Sequence, residues 1–507
     1  MSQPFLLSNW RNGVNRTDAI DNLGGGGWLT EGNNISLDQN GYVRERDGSS
    51  QYGNTISGAT TILGLHGYKK YSTGVVYPLM VHAAEIYWNN AGTWTAQSQS
   101  LTTGLSASFV DAFDVVYFTN GTDNVRTWNG SSWTTKATMK KGDKLAFFEN
   151  RIFTAGVSGE ADTVYYTDIA TDTQTKTAYI EVGEAVTALL PADRFLWIFT
   201  RNDIYSIERM EQYDGVAVGP EALTKLQVHK GAMGKNCVCK VGPWVYFVAN
   251  DGIYRTDGSS LTLITADCKE DWAAINPATL AGSAIVEFEN RIYVALRETG
   301  QTVNNVVFVF DTTYLHQSPT TGEALPAYYG KYDYTDASIY PAMFAVIDVT
   351  GNEKRLYCGD SATGKVFRLE DTSVTADDGT AIDSYVTMPL VGDDALYRKR
   401  WTRGFIRFAT VGDYYVDIYA RGSRYAEWNR IERADISSIG STRDNFVRGE
   451  ILRSQEDEKE IVFRPNYKGR YFECRIRNEN LDEPWTLSNL GGSYRTIRRI
   501  QNKPEQF

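Results

Sequence analysis

An internal repeat constrains this chain more than any other feature. A repeated unit that cannot bury its own apolar face must stack against copies of itself. The five residues Phe148–Ile152, Phe-Glu-Asn-Arg-Ile, recur unchanged at Phe288–Ile292. A longer pair stands beside them: VYFTNGTDNVRTWNGSSW from Val116 and VYFVANDGIYRTDGSSL from Val245. Each reads as a short apolar strand, an Asn/Asp/Gly turn, a second strand and a Gly-Ser-Ser turn, which is a hairpin pattern. The same plan returns from Leu79, Ile152, Leu196, Ile292 and Leu356, giving seven units spaced by 36 to 49 residues, with a last interval of 64.

Four-stranded propeller blades take about 40–50 residues each. The expected fold is therefore all-β, with a β-propeller of about seven blades, six to eight being the range. Radial closure leaves only short strand edges, whereas an open row of hairpins invites aggregation. The segment Ile35–Gly48 is the expected ring-closing strand, paired with the last blade. The Phe-Glu-Asn-Arg-Ile copies are expected to be turns into a central strand, with Phe and Ile packed between blades. The long last interval predicts an insertion around Thr312–Asp336. Between two units, Ala266–Gly282 predicts a short helix, with Asp267 as N-cap and Glu270 completing a capping box.

Past Asp371 the plan changes. A polar stretch, residues 372–381, precedes SYVTMPLV, TRGFIRFATV, DYYVDIYARG, EIVFRPN and RYFECRIRN. These alternating strands predict a C-terminal β-sandwich. The expected division is an arm with the ring-closing strand at 1–58, a propeller at 59–380 and the sandwich at 381–507. Aromatic content of 13% favours strands as well. Charge divides along the same line. Residues 381–507 hold 22 Lys and Arg against 19 Asp and Glu, leaving 29 against 43 in residues 1–380. An acidic body of that kind argues against tight nucleic-acid binding, which draws on Lys and Arg.

No catalytic constellation emerges. The four histidines, His66, His82, His229 and His316, fall in different units, and none adjoins a nucleophile motif. Cys237 and Cys239 lack the second pair that a zinc site needs, and strand alternation puts both thiols on one face. With Cys268, Cys358 and Cys474 they form a sparse, odd set, which favours a reducing compartment over a disulfide framework. Gly24–Gly27 is not followed by Gly-Lys-Ser/Thr, so it predicts an elbow rather than a phosphate loop. No enzyme, cofactor or metal is expected. No apolar run is long enough to span a membrane, and the first residues lack the pattern of a secretory signal. Two basic stretches, Arg398, Lys399, Arg400 and Trp401, and Arg495, Arg498 and Arg499, are candidate interface residues, because Arg and aromatic side chains anchor interfaces. The acidic run Gln455–Glu460 predicts a solvated hairpin tip.

The N-terminal arm carries a family resemblance. Gly13, Val14, Asn15, Asp21, Leu23, Asn34, Gly41, Val43, Arg46 and Gly48 match the opening of bacteriophage tail proteins of the hub, nozzle or packaged-DNA stabilisation type. The resemblance continues through DGIYRTDGSSLTLIT and KRLYCGDSATGKVFRLED, although Gly24–Gly27 departs from the pattern. It implies a structural virion protein, made in the host cytoplasm. Such a protein would form a homo-oligomeric ring, commonly a hexamer, below the portal. Its partners would be the portal adaptor, other tail proteins and genomic DNA, which passes without sequence-specific binding along an acidic wall. The alternative is a receptor-binding tail protein, suggested by Trp94, Trp128 and Trp133, or a glycan-processing one, since sialidases and related hydrolases also use propellers.

Overall fold

The structure, a computed structural model, describes residues 3–499 apart from 24–26, 59, 175–178, 209–222, 350–352, 392–396, 410–413, 423–426, 437–457 and 466. The repeated pentapeptide turns out to be a tight hairpin. Phe148 pairs with Arg151 across two residues, Glu149 and Asn150, whose φ values are 46° and 58°. Phe288 and Arg291 enclose Glu289 and Asn290 at 51° and 62°. Two successive positive φ values mark a type I′ turn, whose twist matches the strands it joins. Phe113 and Asp114 make the same turn between Ala112 and Val115 with no sequence identity.

Among the described residues, six separate four-stranded antiparallel sheets are the blades of a β-propeller. Blades 1 to 5 begin with the inner strands Ile62–Lys69, Ser108–Ala112, Lys144–Phe148, Ala188–Ala192 and Val238–Val241. Blade 6 begins with Pro341–Asp348. Between blades 5 and 6 stand Ala284–Phe288, Arg291–Leu296, Val306–Gln317 and Ala324–Tyr332, which open a nine-stranded sheet. The inner strand Ala284–Phe288 packs between those of blades 5 and 6, so this unit takes its own place in the ring. All seven unit starts read from the sequence fall in the second strands. The expected insertion at Thr312–Asp336 is a lengthening of this unit's outer hairpin.

Adjacent residues of a second strand face opposite neighbours, as the period of two requires. Ile152 joins Tyr117, Val125 and Leu145 between blades 2 and 3. Phe153 joins Tyr166, Leu196 and Ile198 between blades 3 and 4. Full burial of each such side chain stabilises by about 1.5–3 kcal/mol, so the ring is held mainly by these interblade layers.

Ring closure differs from the expectation. The strand that completes blade 6 is Gly48–Gln51, paired with Val366–Asp371. The segment before it turns away: Ile35–Leu37 and Val43–Glu45 form a hairpin in a seven-stranded sheet. Burial explains the division. Ile35, Leu37 and Val43 are apolar and fully enclosed, and suit a position between layers. Gly48-Ser-Ser-Gln51 is small and polar, and suits an outermost strand. The expected helix is also changed. The segment holds two 3-10 turns around a five-residue α-helix, Lys269–Ala273, capped by Cys268 without a side-chain bond. The Asp267 carboxylate accepts instead from His316 Nε2 at 2.8 Å and Ser318 Oγ at 2.5 Å, so no capping box forms.

The C-terminal strands build two sheets. Ser384–Leu390, Phe472–Asn478, Tyr415–Gly422 and Asn429–Asp435 complete the nine-stranded sheet. Tyr397–Ala409, Thr486–Arg499 and Glu458–Phe463 belong to the seven-stranded one. The arm enters both: Gln3–Leu7 pairs with Thr486–Arg499, and Glu31–Asn33 lies between Ala324–Tyr332 and Ser384–Leu390. One continuous core runs from the propeller through Val14 and Ile35 to Met388, Trp401 and Ile476.

Candidate functional site

The basic stretches singled out by sequence meet on neighbouring antiparallel strands. Arg400 stands opposite Arg495, Arg398 opposite Arg498, and Tyr397 opposite Arg499. Alternation then divides the set. Lys399 and Trp401 point into the fold and are fully buried. The Lys399 ammonium donates to the Val391 carbonyl and, at 3.4 Å, to that of Arg470. Trp401 packs edge-on against Phe5 and Phe472. These two residues are therefore core, not surface, because every second side chain of a strand faces the same side. Arg400 and Arg495 are exposed, and Arg398 is half-buried. The side chains of Arg498 and Arg499, and all of Gln455–Glu460 before Glu458, lie outside the described residues, as do Gly24–Gly26.

Most of the remaining chemistry-bearing residues are packed or hydrogen-bonded within the fold. All five cysteines are buried, and burial pushes the Cys237 thiol up to about 12. His66 bonds Asp111 at 2.7 Å and stacks on Phe109, whereas burial lowers the His82 imidazole. Trp94 and Trp128 are buried in the blades, and Trp133 stacks on Trp128 at 5.8 Å. These indoles do not form the exposed platform that a receptor-binding reading needs. Among the described residues no group of three or more His, Cys, Asp or Glu side chains could hold a metal, and no helix is long and apolar enough to cross a membrane.

Sequence reading missed a cavity of about 620 Å³ where the beginnings of the inner strands converge on the propeller axis. Every place in the ring lends it residues, from Ser106 and Asp143 to Lys235, Asn304 and Met343. Its ionisable lining is Asp143, Lys144, Lys235 and Arg297. Lys144 Nζ holds the Asp143 carboxylate at 2.5 Å. Lys235 Nζ donates to two backbone carbonyls, Ser106 O at 2.8 Å and Asp143 O at 3.3 Å. Burial lowers its ammonium to about 8, with the Asp143 carboxylate opposing that shift and Lys144 adding to it. Arg297 Nε has no hydrogen-bond partner, and its guanidinium meets no carboxylate among the described residues. Asn304 is buried; its amide nitrogen donates to Gly282 O and Pro341 O, both at 3.0 Å, while Oδ1 is left without a donor. Cations outnumber carboxylates here. No spacing signal could have gathered these residues, because they come from three separate units: Asp143 and Lys144 from blade 3, Lys235 from blade 5, and Arg297 and Asn304 from the unit between blades 5 and 6.

The arm residues that carry the family resemblance have defined work in the fold. Gly13, at φ 78°, lies so close to the next strand that a Cβ would meet Tyr328 O at 2.5 Å. Asn15 Oδ1 accepts from the backbone of Thr17 and Asp18, both at 2.9 Å. Arg46 is fully buried, forms a two-pronged pair with Asp377 and donates Nε to Asn34 Oδ1 at 3.0 Å. Its guanidinium lies 4.0 Å from the ring centre of Tyr334. Asp377 belongs to the polar stretch before the sandwich, so that stretch is clamped rather than loose.

No protein-family model matches the chain, and no curated protein matches it. Among solved structures it is similar to PorZ, an essential surface component of the type-IX secretion system of Porphyromonas gingivalis. That likeness has 12% identity and a TM-score of 0.41, over 68% of this chain and 43% of that one. The chain thus spans less than half the length of that protein. It is similar also to the N-terminal domain of Nup159, at 12% identity and a TM-score of 0.37, over 67% of this chain and 98% of that one. At such values neither likeness carries an argument about function.

Proposed function

We propose that this chain is a structural protein of a tailed bacteriophage virion, assembled as a ring of identical subunits in the tail below the portal. The observation that carries the proposal is the arm. Four of the residues that resemble tail hub and nozzle proteins, Gly13, Asn34, Arg46 and Gly48, contact the chain beyond the arm, at Tyr328, Asp383, Asp377 and Asp371. The reading includes no catalytic step, cofactor or metal. Portal-adaptor and tail proteins are the neighbours it implies, and the genome passes through the assembled ring.

Charge suggests how copies meet. Arg400 and Arg495 lie directly opposite one another on a surface strand pair. Like charges so placed repel unless an anionic partner covers them. The acidic 1–380 part of a neighbouring copy supplies such a partner. A contact between unlike surfaces closes into a ring when its rotation permits. Native mass measurement of the purified chain tests this. A closed ring of about six copies at low salt is expected, and Arg400→Glu with Arg495→Glu should dissociate it. A monomer at every protein and salt concentration would refute the ring, and a trimer would favour the receptor-binding alternative.

A further inference from the structure

We propose that the cavity on the propeller axis binds a small polyhydroxylated anion, of the phosphosugar or sugar-acid class. The inference is independent of the phage reading. It rests on three features of one solvent-open cavity. The first is charge: Lys144, Lys235 and Arg297 face it against the single carboxylate of Asp143, which Lys144 already holds. The second is the state of the remaining cations. Lys235 is bound only by carbonyl oxygens, and the Arg297 guanidinium has no carboxylate. A desolvated ammonium without a counter-charge, as at Lys235, costs stability, and a bound anion removes that cost. The third is Asn304 Oδ1, a buried acceptor fixed in direction by the two bonds of its own amide nitrogen. An anion cannot satisfy an acceptor; a hydroxyl on the same ligand can.

Size agrees with the chemistry. About 620 Å³ falls within the range of small-molecule sites. It admits a monosaccharide derivative and not a nucleic-acid duplex. Recognition would use Arg297 as the planar fork for a phosphate or carboxylate, Lys235 as a second positive charge, and Asn304 as the reader of a hydroxyl. Because burial lowers the Lys235 ammonium to about 8, the free site loses part of its charge in mildly alkaline solution. Asp143, Lys144 and Arg297 are the other charged groups facing it.

Isothermal titration of the full chain at low salt with glucose 6-phosphate, gluconate, inorganic phosphate and glucose tests the proposal. Saturable one-to-one binding of glucose 6-phosphate or gluconate is expected, with glucose and inorganic phosphate each at least about tenfold weaker. One charge-assisted hydrogen bond accounts for a factor of about ten or more, so Arg297→Gln should weaken the tighter ligand by that factor. Lys235→Gln serves the same purpose if the first variant does not fold. In the unaltered chain, affinity should fall between pH 7 and pH 9. Absence of saturable binding at millimolar ligand would overturn the proposal. So would equal affinity for glucose, or affinity unchanged by the substitution and by pH.

Discussion

Two regions of this molecule confine charge, and they do so in opposite ways. At the junction of arm, propeller and sandwich, the Arg46 guanidinium is spent on Asp377, Asn34 Oδ1 and backbone carbonyls, with Tyr334 beneath it. Arg44 forms a two-pronged pair with Asp47 at 2.8 Å close by. At the propeller axis, Arg297 has no such partner and Lys235 has only carbonyls. A satisfied buried pair fixes which pieces meet. An unsatisfied one holds binding capacity in reserve, at a cost to the free protein.

The largest effect should come from removing the arm that supplies the junction. Deleting residues 1–51 takes strands out of three sheets: the seven-stranded sheet, the nine-stranded sheet and blade 6. It opens the blade 6 edge at Val366–Asp371 and parts Ala324–Tyr332 from Ser384–Leu390. Exposed edges of this kind recruit other chains. The truncated chain should be insoluble, or elute as aggregate on size exclusion. A soluble form with one sharp unfolding transition would show that the junction is dispensable.

Next in size is the pair itself. Arg46→Met should cost about 3–5 kcal/mol in denaturant unfolding, because Asp377 would be left charged and enclosed. Adding Asp377→Asn should recover part of that loss. A loss near zero in the single variant would mean that the junction is held by apolar burial alone. Ile152→Ala and Ile292→Ala set the scale for such burial. Both side chains are fully enclosed, and each should cost about 2–5 kcal/mol.

How much of this was legible beforehand follows from which forces act locally. Hairpins declare themselves through turn residues and alternation, so all seven second strands could be placed from Leu79, Val116, Ile152, Leu196, Val245, Ile292 and Leu356. The type I′ geometry at Glu149–Asn150 and Glu289–Asn290 is local too. Partner choice is not local. Ile35–Glu45 carries the apolar residues of a strand and Gly48–Gln51 small polar ones, and which sheet each joins is set by the burial available at its destination. Asp267 looked like a helix cap because Glu270 follows at the right distance; His316 and Ser318, some fifty residues on, took its carboxylate instead. Strand alternation was the neglected signal at Arg398–Trp401, where it would have set Lys399 and Trp401 apart from Arg398 and Arg400. The axial cavity gathers one residue from here and another from there, and no pattern along the chain announces that.

A pH dependence separates the regions further. Burial raises Glu45 from 4.5 to about 8, against the Ser384 hydroxyl and Arg46, which favour the charged form. Burial likewise raises Glu370 to about 7, against Arg291. Both folded carboxyls hold a proton that the unfolded chain has released. Their contribution is therefore complete below about pH 4.5 and is lost as pH rises toward 7 and 8. Glu45→Gln should remove much of the decline in unfolding midpoint between pH 5 and pH 8. An equally steep decline in the variant would place the titrating group elsewhere. Lys235 acts with the opposite sign, and only above about 8, where its lowered ammonium lets stability rise with pH.

The smallest expected change is at the axis, and its smallness is what makes it informative. Arg46 is fully buried and Arg297 only half-buried, and removing the charge at Arg297 breaks no ion pair seen among the described residues and strands no carboxylate. Arg297→Gln should therefore leave the unfolding free energy within about 0.5 kcal/mol of the parent, the range of substitutions that break no buried contact. A small gain is the favoured direction, since Lys144 and Lys235 repel the charge being removed. That repulsion acts through a partly solvated space and is screened by salt, so any gain should shrink between low and high ionic strength. Denaturant melts of parent and variant at two salt concentrations measure it directly. A loss of several kcal/mol at Arg297 would show a structural partner there and erase the contrast with Arg46. A salt-sensitive gain, set beside the large loss at Arg46, would show that this fold uses a buried arginine to join its parts and leaves the half-buried one at the axis uncommitted.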